Sequence, residues 1–90
     1  MFLFVGLGNP GPRYVLTRHN VGFLFVDEMI RDGVRKTFKK KTYEAYLLDG
    51  EPKIYLAKPL TFMNLSGIAV KSMITDLNFT GEDTVVIVYD

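Results

Sequence analysis

The first third of the chain alternates between apolar runs and polar breaks in a way that predicts a strand, a loop and a helix. Residues 2–7 form a continuous apolar run that glycine and proline end, the pattern of a strand buried on both faces. Residues 8–18 contain two prolines and two glycines near their start and indicate a loop. From Val21 to Asp32, apolar side chains recur at helical spacing; Asn20 can cap this helix, and Gly33 can close it in a left-handed conformation.

A hairpin follows the first helix. Residues 42–49 and 53–58 are strand-like runs around Asp49-Gly50, a strong turn signal, and this predicts antiparallel pairing. A block of basic residues precedes the hairpin, and we interpret it as a solvated loop and helix end, with contact to phosphates as the alternative. Its members are Arg31, Arg35, Lys36, Lys39, Lys40 and Lys41.

The last third predicts a helix and a final strand. Thr61 or Asn64 can cap the helix, whose expected apolar face consists of Ile68, Val70, Met73, Ile74 and Leu77. Residues 84–89 are again apolar throughout, so we expect a strand buried on both faces, with Asp90 at its carboxyl end. The order strand, helix, hairpin, helix, strand predicts an α/β fold with a mixed β-sheet flanked by helices, and residues 1–90 make at most one domain.

Composition narrows the function classes. The chain has 90 residues, 48% of them hydrophobic and 23% charged, which is ordinary for one globular domain. It has no cysteine, which excludes disulfides, thiolate metal sites and cysteine nucleophiles. The net charge of +1 does not by itself indicate an anionic partner. Residues 1–7 are too short for a signal core and no run could span a membrane, so we expect a cytoplasmic protein.

The segment Gly6-Leu7-Gly8-Asn9-Pro10-Gly11 matches a dinucleotide-binding pattern, but its context argues against that function. A dinucleotide site needs a helix directly after the turn, whose backbone amides hold the pyrophosphate. Here Pro10 and Pro12 remove two amides, and the helix begins only near Asn20.

His19 is the single histidine and is the side chain whose ordinary pKa, near 6.5, best suits proton transfer at neutral pH. A lone histidine is more often structural or merely exposed, and one histidine without cysteines argues against zinc. Asp90 could orient His19 as a carboxylate does in a catalytic pair, or could simply end a strand. Asn9 and Asn64 could orient an ester carbonyl or a ribose hydroxyl, or could be loop and cap residues.

Three motifs together resemble those of the bacterial peptidyl-tRNA hydrolase family, in the family's order and at close to its spacing. The first is Gly6-Leu7-Gly8-Asn9-Pro10-Gly11, which Tyr14 follows. The other two are Thr17-Arg18-His19-Asn20-Val21-Gly22 and Thr61-Phe62-Met63-Asn64-Leu65-Ser66-Gly67. The closing Val-Ile-Val-Tyr-Asp is similar to the strand that ends in the family's catalytic aspartate. The resemblance implies a partial αβα sandwich.

The resemblance also implies an activity, the hydrolysis of the ester between a peptide and the 3′-terminal ribose of tRNA, without metal or cofactor. His19 would be the general base that activates water, and Asp90 the carboxylate that orients His19.

The remaining positions of the motifs carry expected roles at the substrate. Asn9 and Asn64 resemble the asparagines that position the substrate around the scissile ester. Tyr14 and Met63 would line the peptide side of the cleft, and Asn20 would have a supporting role.

The family is about twice as long as this chain, so the resemblance implies the N-terminal half of a single domain. We therefore expect the isolated chain to be unstable, to self-associate or to pair with a C-terminal half, and to catalyse little alone. The alternative is a truncated, non-catalytic fragment or a weak tRNA-binding module that keeps the motifs.

Overall fold

The protein is described by a computed structural model, which covers residues 1–8, 20–62 and 65–89. Within these ranges the chain forms five strands and two helices. The strands are β1 (Phe2–Gly6), β2 (Val34–Lys39), β3 (Tyr43–Leu48), β4 (Ile54–Pro59) and β5 (Thr84–Val88). The helices are α1 (Val21–Met29) and α2 (Ser66–Asp76). Neither helix is long and apolar enough to cross a membrane, as far as the described residues go.

The strands form one mixed sheet in the order β2-β3-β4-β1-β5. β1 lies parallel to β4 and β5, whereas β3 runs antiparallel to both β2 and β4. Parallel neighbours need long crossover connections, and the segments that contain α1 and α2 provide them. The predicted fold class, a mixed sheet flanked by helices, is confirmed.

The main hydrophobic core lies between α2 and one face of the sheet. Its buried side chains are Leu3, Val5, Tyr43, Ala45, Leu47, Tyr55, Ala57, Ala69, Met73, Leu77 and Phe79. The other face of the sheet is covered by α1, where Val26 is fully buried and the Phe25 ring packs against Phe4 at 6.2 Å between centroids. Helices on both faces make β1 a central strand with the two-sided burial that its apolar run predicted.

The prediction that the basic block is a solvated loop and helix end was wrong in part, because Arg35, Lys36 and Lys39 lie in β2. Its other three members lie after α1 and between β2 and β3. β2 is an edge strand whose basic side chains lie in solvent, while Phe38 is half-buried against the Tyr55 ring, 6.0 Å away between centroids. The Lys36 ammonium lies 5.0 Å from the centre of the Phe38 ring. An edge strand needs backbone pairing and a single inward apolar side chain, so a highly charged sequence can form one.

The predicted hairpin is confirmed. β3 and β4 pair antiparallel from Tyr43 opposite Pro59 to Leu47 opposite Tyr55. Gly50 has a φ of 100°, a left-handed conformation that glycine adopts without a steric penalty.

The first helix is shorter than predicted. α1 ends at Met29, and residues 30–32 form a turn that leads into Gly33, whose φ is 139°. Asn20 occupies the N-cap position as expected, but its side chain makes no capping hydrogen bond. The function of that side chain therefore lies elsewhere.

The second helix differs in its cap and its buried face. Leu65 is the N-cap, which excludes Thr61 from that role, and Asn64 lies outside the described residues. Ala69 and Met73 face the core, whereas Ile68 and Ile74 are exposed, so the predicted apolar face was partly wrong. Because alanine is small and only weakly hydrophobic, a hydrophobicity pattern does not identify Ala69 as part of the buried face.

β5 lies at the edge of the sheet, against the expectation that it is buried on both faces. Val85 and Ile87 are 36% and 39% exposed. β1 covers one edge of β5, and no strand among the described residues pairs with the other.

Candidate active site

The carboxyl ends of β1 and β5 lie side by side. The Leu7 backbone N–H donates a hydrogen bond of 2.9 Å to the carbonyl oxygen of Val88. In open α/β sheets, binding sites collect at this end of parallel strands. Asn9 and Asp90 follow these two strands along the chain, but both lie outside the described residues.

The first turn of α1 is pressed against the same two strand ends. A methyl group at Gly22 would lie 2.3 Å from the Leu7 nitrogen and 2.6 Å from the Val88 oxygen. A methyl group at Gly6 would lie 2.1 Å from the Gly22 carbonyl oxygen. The glycines of the first two motifs therefore permit a close approach of helix and strand, which explains their spacing without a dinucleotide.

Asn20 lies between the end of β1 and the start of α1. It is 2% exposed and is the one buried polar residue of the described ranges. A methyl group at Gly8 would lie 2.8 Å from the Asn20 side-chain oxygen and 2.9 Å from the Phe23 ring. Asn20 is thus a polar side chain directly beside the backbone that leads into Asn9.

The connection from β4 to α2 reaches the same end of the sheet. The Leu60 N–H donates to the Thr42 carbonyl oxygen over 2.8 Å, and the Leu65 N–H donates to the Phe62 carbonyl oxygen over 2.8 Å. The Thr61 hydroxyl oxygen is buried without a hydrogen-bond partner among the described residues. Met63 and Asn64 lie between these anchored positions, outside the described residues.

An open, mainly apolar groove of about 630 Å³ runs between α2 and the ends of β1 and β5. It is lined by Leu7, Ser66, Gly67, Val70, Lys71, Ile74, Thr75 and Ile87. Sequence reasoning missed this groove, because a hydrophobicity pattern cannot tell a groove from a buried core. The groove places exposed apolar surface directly beside the converging strand ends.

An ion pair that sequence reasoning also missed fixes α1 near this end of the sheet. The Lys58 ammonium contacts the Asp27 carboxylate and lies 5.6 Å from the centre of the Phe23 ring. Lys58 lies far along the chain from Asp27 and Phe23, so only the folded structure brings it to them. The pair joins α1 to β4 on the α1 face of the sheet.

Two tyrosine hydroxyls on the sheet stay protonated at neutral pH. Burial and a hydrogen bond of 2.9 Å to Asp76 raise the pKa of Tyr43 to about 12. Burial also raises the pKa of Tyr46, and so does its 2.7 Å hydrogen bond to Glu44. Neither hydroxyl can act as a base near neutral pH. No group of three or more potential metal ligands forms within the described ranges.

Most of the predicted site residues fall on parts of the chain that the structure does not describe. They are His19, Asp90, Asn9, Tyr14, Met63 and Asn64. Their roles stay predictions, as does the supporting role of Asn20. The described residues that flank them, including Gly8, Asn20 and Leu65, lie at the strand and helix ends described above.

Comparisons with known proteins identify relatives along the whole chain. A family model described as peptidyl-tRNA hydrolase matches residues 3–90. The peptidyl-tRNA hydrolase of Kosmotoga olearia is 50% identical over the full chain, which covers 48% of that relative. That of Pseudothermotoga lettingae is 48% identical, again over the full chain and 46% of the relative. The chain thus spans about half the length of the curated relatives it matches.

Solved structures have the same fold as this chain. The crystal structure of peptidyl-tRNA hydrolase from Acinetobacter baumannii matches with a TM-score of 0.82 and 33% sequence identity. The match covers all of this chain and 47% of that one. Fold, motifs and sequence similarity agree, and the chain belongs to the peptidyl-tRNA hydrolase family.

Proposed function

We propose that the chain provides the N-terminal half of a peptidyl-tRNA hydrolase that acts in the cytoplasm. The reaction is hydrolysis of the ester between a peptide and the 3′-terminal ribose of tRNA. The observation that carries the proposal is the convergence of the ends of β1 and β5 with the start of α1, because residues 6–8 and 20–22 of the family's motifs lie at these ends.

In the proposed mechanism, His19 takes a proton from water as the water oxygen attacks the ester carbonyl carbon. The bond from that carbon to the ribose oxygen then breaks, and the proton passes from the imidazolium to the leaving ribose oxygen. Asp90 accepts a hydrogen bond from the other ring nitrogen and stabilises the imidazolium. An ester is reactive enough for such catalysis without a covalent intermediate.

The remaining predicted residues position the substrate. Asn9 and Asn64 orient the scissile ester and the water through amide groups, and Tyr14 and Met63 line the peptide side. Asn20 supports the site from its buried position beside Gly8, at the start of α1.

The test is release of the peptide from a short peptidyl-tRNA by the 90-residue chain, compared with its His19→Ala and Asp90→Asn variants. We expect the turnover of the unmodified chain to be small without a C-terminal half, and both substitutions should abolish it. Asp32→Asn removes an exposed carboxylate outside the motifs and is the matched control, with unchanged turnover expected. Turnover that persists in His19→Ala would contradict the assignment of the base.

A second candidate is a non-catalytic fragment or weak tRNA-binding module. It is favoured by the coverage of about half of each relative, because a site built from both halves would be incomplete here. Binding of tRNA without any turnover, alongside an active full-length relative, would select it.

We further propose that the exposed edge of β5 and the groove beside α2 bind the complementary half of the family domain. An unpaired strand edge with exposed Val85 and Ile87 is a template for pairing with another chain. Self-association through the same edge is the competing outcome, and the Discussion gives the experiment that separates them.

A further inference from the structure

Three consecutive lysines end β2 and begin the turn to β3. Lys39, Lys40 and Lys41, which we call the lysine turn, are all exposed. The Lys40 N–H donates to the Tyr43 carbonyl oxygen over 2.9 Å and closes the turn. The turn is therefore a fixed connection between β2 and β3, and its ammonium groups extend into solvent from a defined backbone.

Strand register places the lysine turn at the same end of the sheet as the proposed active site. Lys39 pairs with Glu44, and Glu44 pairs with Lys58. Lys58 follows Ala57, the partner of Val5, so Lys39 is level with the last residue of β1. Three strand spacings separate β2 from β1, roughly 14 Å. Lys40 and Lys41 continue beyond this row, in the direction in which β1 leaves the sheet.

A hydrogen bond joins the residue that follows the lysine turn to the residue that precedes the third motif. The Leu60 N–H donates to the Thr42 carbonyl oxygen over 2.8 Å, next to Lys41 along the chain. Leu60 begins the connection that carries Asn64 into α2. The lysine turn is thus a direct neighbour of a segment that we propose binds substrate.

The charges of the lysine turn are not neutralised within the described part of the chain. Some other cations have carboxylate partners: Arg31 contacts Glu28 at 3.0 Å and Arg35 contacts Asp49 at 3.7 Å. No described carboxylate lies within 4.0 Å of the three ammonium groups.

The acid opposite the turn is also engaged elsewhere. Glu44 faces Lys39 across the strand pair, but its carboxylate accepts a hydrogen bond of 2.7 Å from the Tyr46 hydroxyl. The turn therefore presents an excess of positive charge next to the proposed site.

We propose that the lysine turn binds backbone phosphates of the RNA whose 3′ end enters the active site, an inference that rests on the proposed function. Ammonium groups bind phosphates as point charges without reading sequence, so the contact adds affinity and orientation. Lysines on an edge strand also prevent unwanted strand pairing, a role that needs no ligand. Salt dependence of RNA binding separates the two roles.

The experiment measures binding of deacylated tRNA to the 90-residue chain by fluorescence anisotropy at several salt concentrations between about 25 and 200 mM, the range over which counterion release is resolved. Lys40→Gln/Lys41→Gln should reduce the slope of log K against log salt by about 1.5, because each lost phosphate contact removes roughly 0.7 to 0.9. Circular dichroism confirms that each variant is folded.

The matched control is Arg31→Gln/Lys53→Gln, which removes the same net charge at the opposite end of the sheet. The Lys53 carbonyl oxygen accepts from the Phe2 N–H at the start of β1, and Gly33, near Arg31, lies beside Asp49 of the β3–β4 turn. The control slope should change by less than about 0.5, since no phosphate contact is lost.

Equal losses in both double variants would mean that only net charge matters and would overturn the proposal. An unchanged slope in Lys40→Gln/Lys41→Gln, or no binding of tRNA by the unmodified chain, would overturn it as well. Lysine-dependent binding without any peptide release, even after the complementary half of the family domain is added, would contradict the proposed hydrolase while leaving the lysine turn in place. Peptide release together with tRNA binding that does not depend on these lysines would contradict phosphate binding by the lysine turn and leave the proposed hydrolase in place.

Discussion

At the scale of single residues, glycine sets how closely the helix and strand ends of the candidate site can approach. A methyl group at Gly22 would clash with backbone atoms of Leu7, directly after β1, and of Val88 in β5, and no rotamer change could relieve the clash. The sequence shows a glycine after His-Asn-Val but cannot show what it contacts. The sequence therefore identifies Gly22 as a motif position, but it does not predict that packing requires a glycine there.

We predict that Gly22→Ala lowers the free energy of unfolding by about 1–3 kcal/mol, the usual range for overpacking against atoms that cannot move aside. Urea denaturation followed by circular dichroism measures the change. Gly67→Ala is the control, because nothing lies within 4 Å of a methyl group there and the residue is helical. The control should gain about 0.5–1 kcal/mol from helix propensity, and a loss as large as that of Gly22→Ala would refute the packing argument.

At the scale of elements, the sequence predicted β1, α1, β3, β4, α2 and β5 but not β2. The alternation of apolar and polar residues identifies elements that bury one face or two. β2 buries little beyond Phe38, so its pattern resembles a solvated segment. The positions of β2 and β5 at the two sheet edges follow from pairing between distant segments, which a local pattern does not contain.

The end of α2 shows an element boundary that the sequence indicates only in part. Asn78 has a φ of 60°, and its N–H bonds to the Thr75 carbonyl oxygen at 3.3 Å. The Phe79 N–H bonds to the Ile74 carbonyl oxygen at 2.9 Å, and Phe79 itself is buried. This pair of bonds is a Schellman motif, with Asn78 in its left-handed position.

We predict that Asn78→Ala lowers the free energy of unfolding by about 1 kcal/mol, because alanine is strained in the left-handed conformation. Asn78→Gly should leave stability unchanged or higher, since glycine has no Cβ to clash. Thermal unfolding of the three proteins under identical conditions makes the comparison. An alanine variant as stable as the glycine variant would mean that this helix end does not depend on the left-handed residue.

At the scale of the whole molecule, the family was predictable from three motifs, whereas completeness of the site was not. The sheet ends at β5 with exposed apolar side chains, and the groove beside α2 continues this surface. The relatives are about twice as long as the match. Whether a second chain covers the surface depends on interactions beyond these 90 residues, so no pattern within them reveals it.

We predict that the part of the Kosmotoga olearia relative outside the match forms a one-to-one complex with this chain. Pairing would give hydrogen-bond partners to the backbone groups on the open edge of β5 and would bury the groove. Because the added half binds the folded chain, it should raise the temperature of the unfolding midpoint of the chain. At a concentration of the added half about 100 times its Kd, the gain is roughly 2.7 kcal/mol. Sedimentation velocity gives the stoichiometry, calorimetry gives the midpoint, and peptide release should rise in the complex.

Substitution in the groove ties the complex to this surface. Ile87→Lys places a charge in the groove and should weaken the complex at least tenfold, because an ammonium group would be buried without a partner. Ile68→Lys makes the same change at an exposed position outside the groove lining and should leave affinity within about twofold, as expected for a surface substitution. A chain that stays monomeric when mixed with the added half would refute the pairing. A homodimer that the added half cannot displace would assign the edge of β5 to self-association instead.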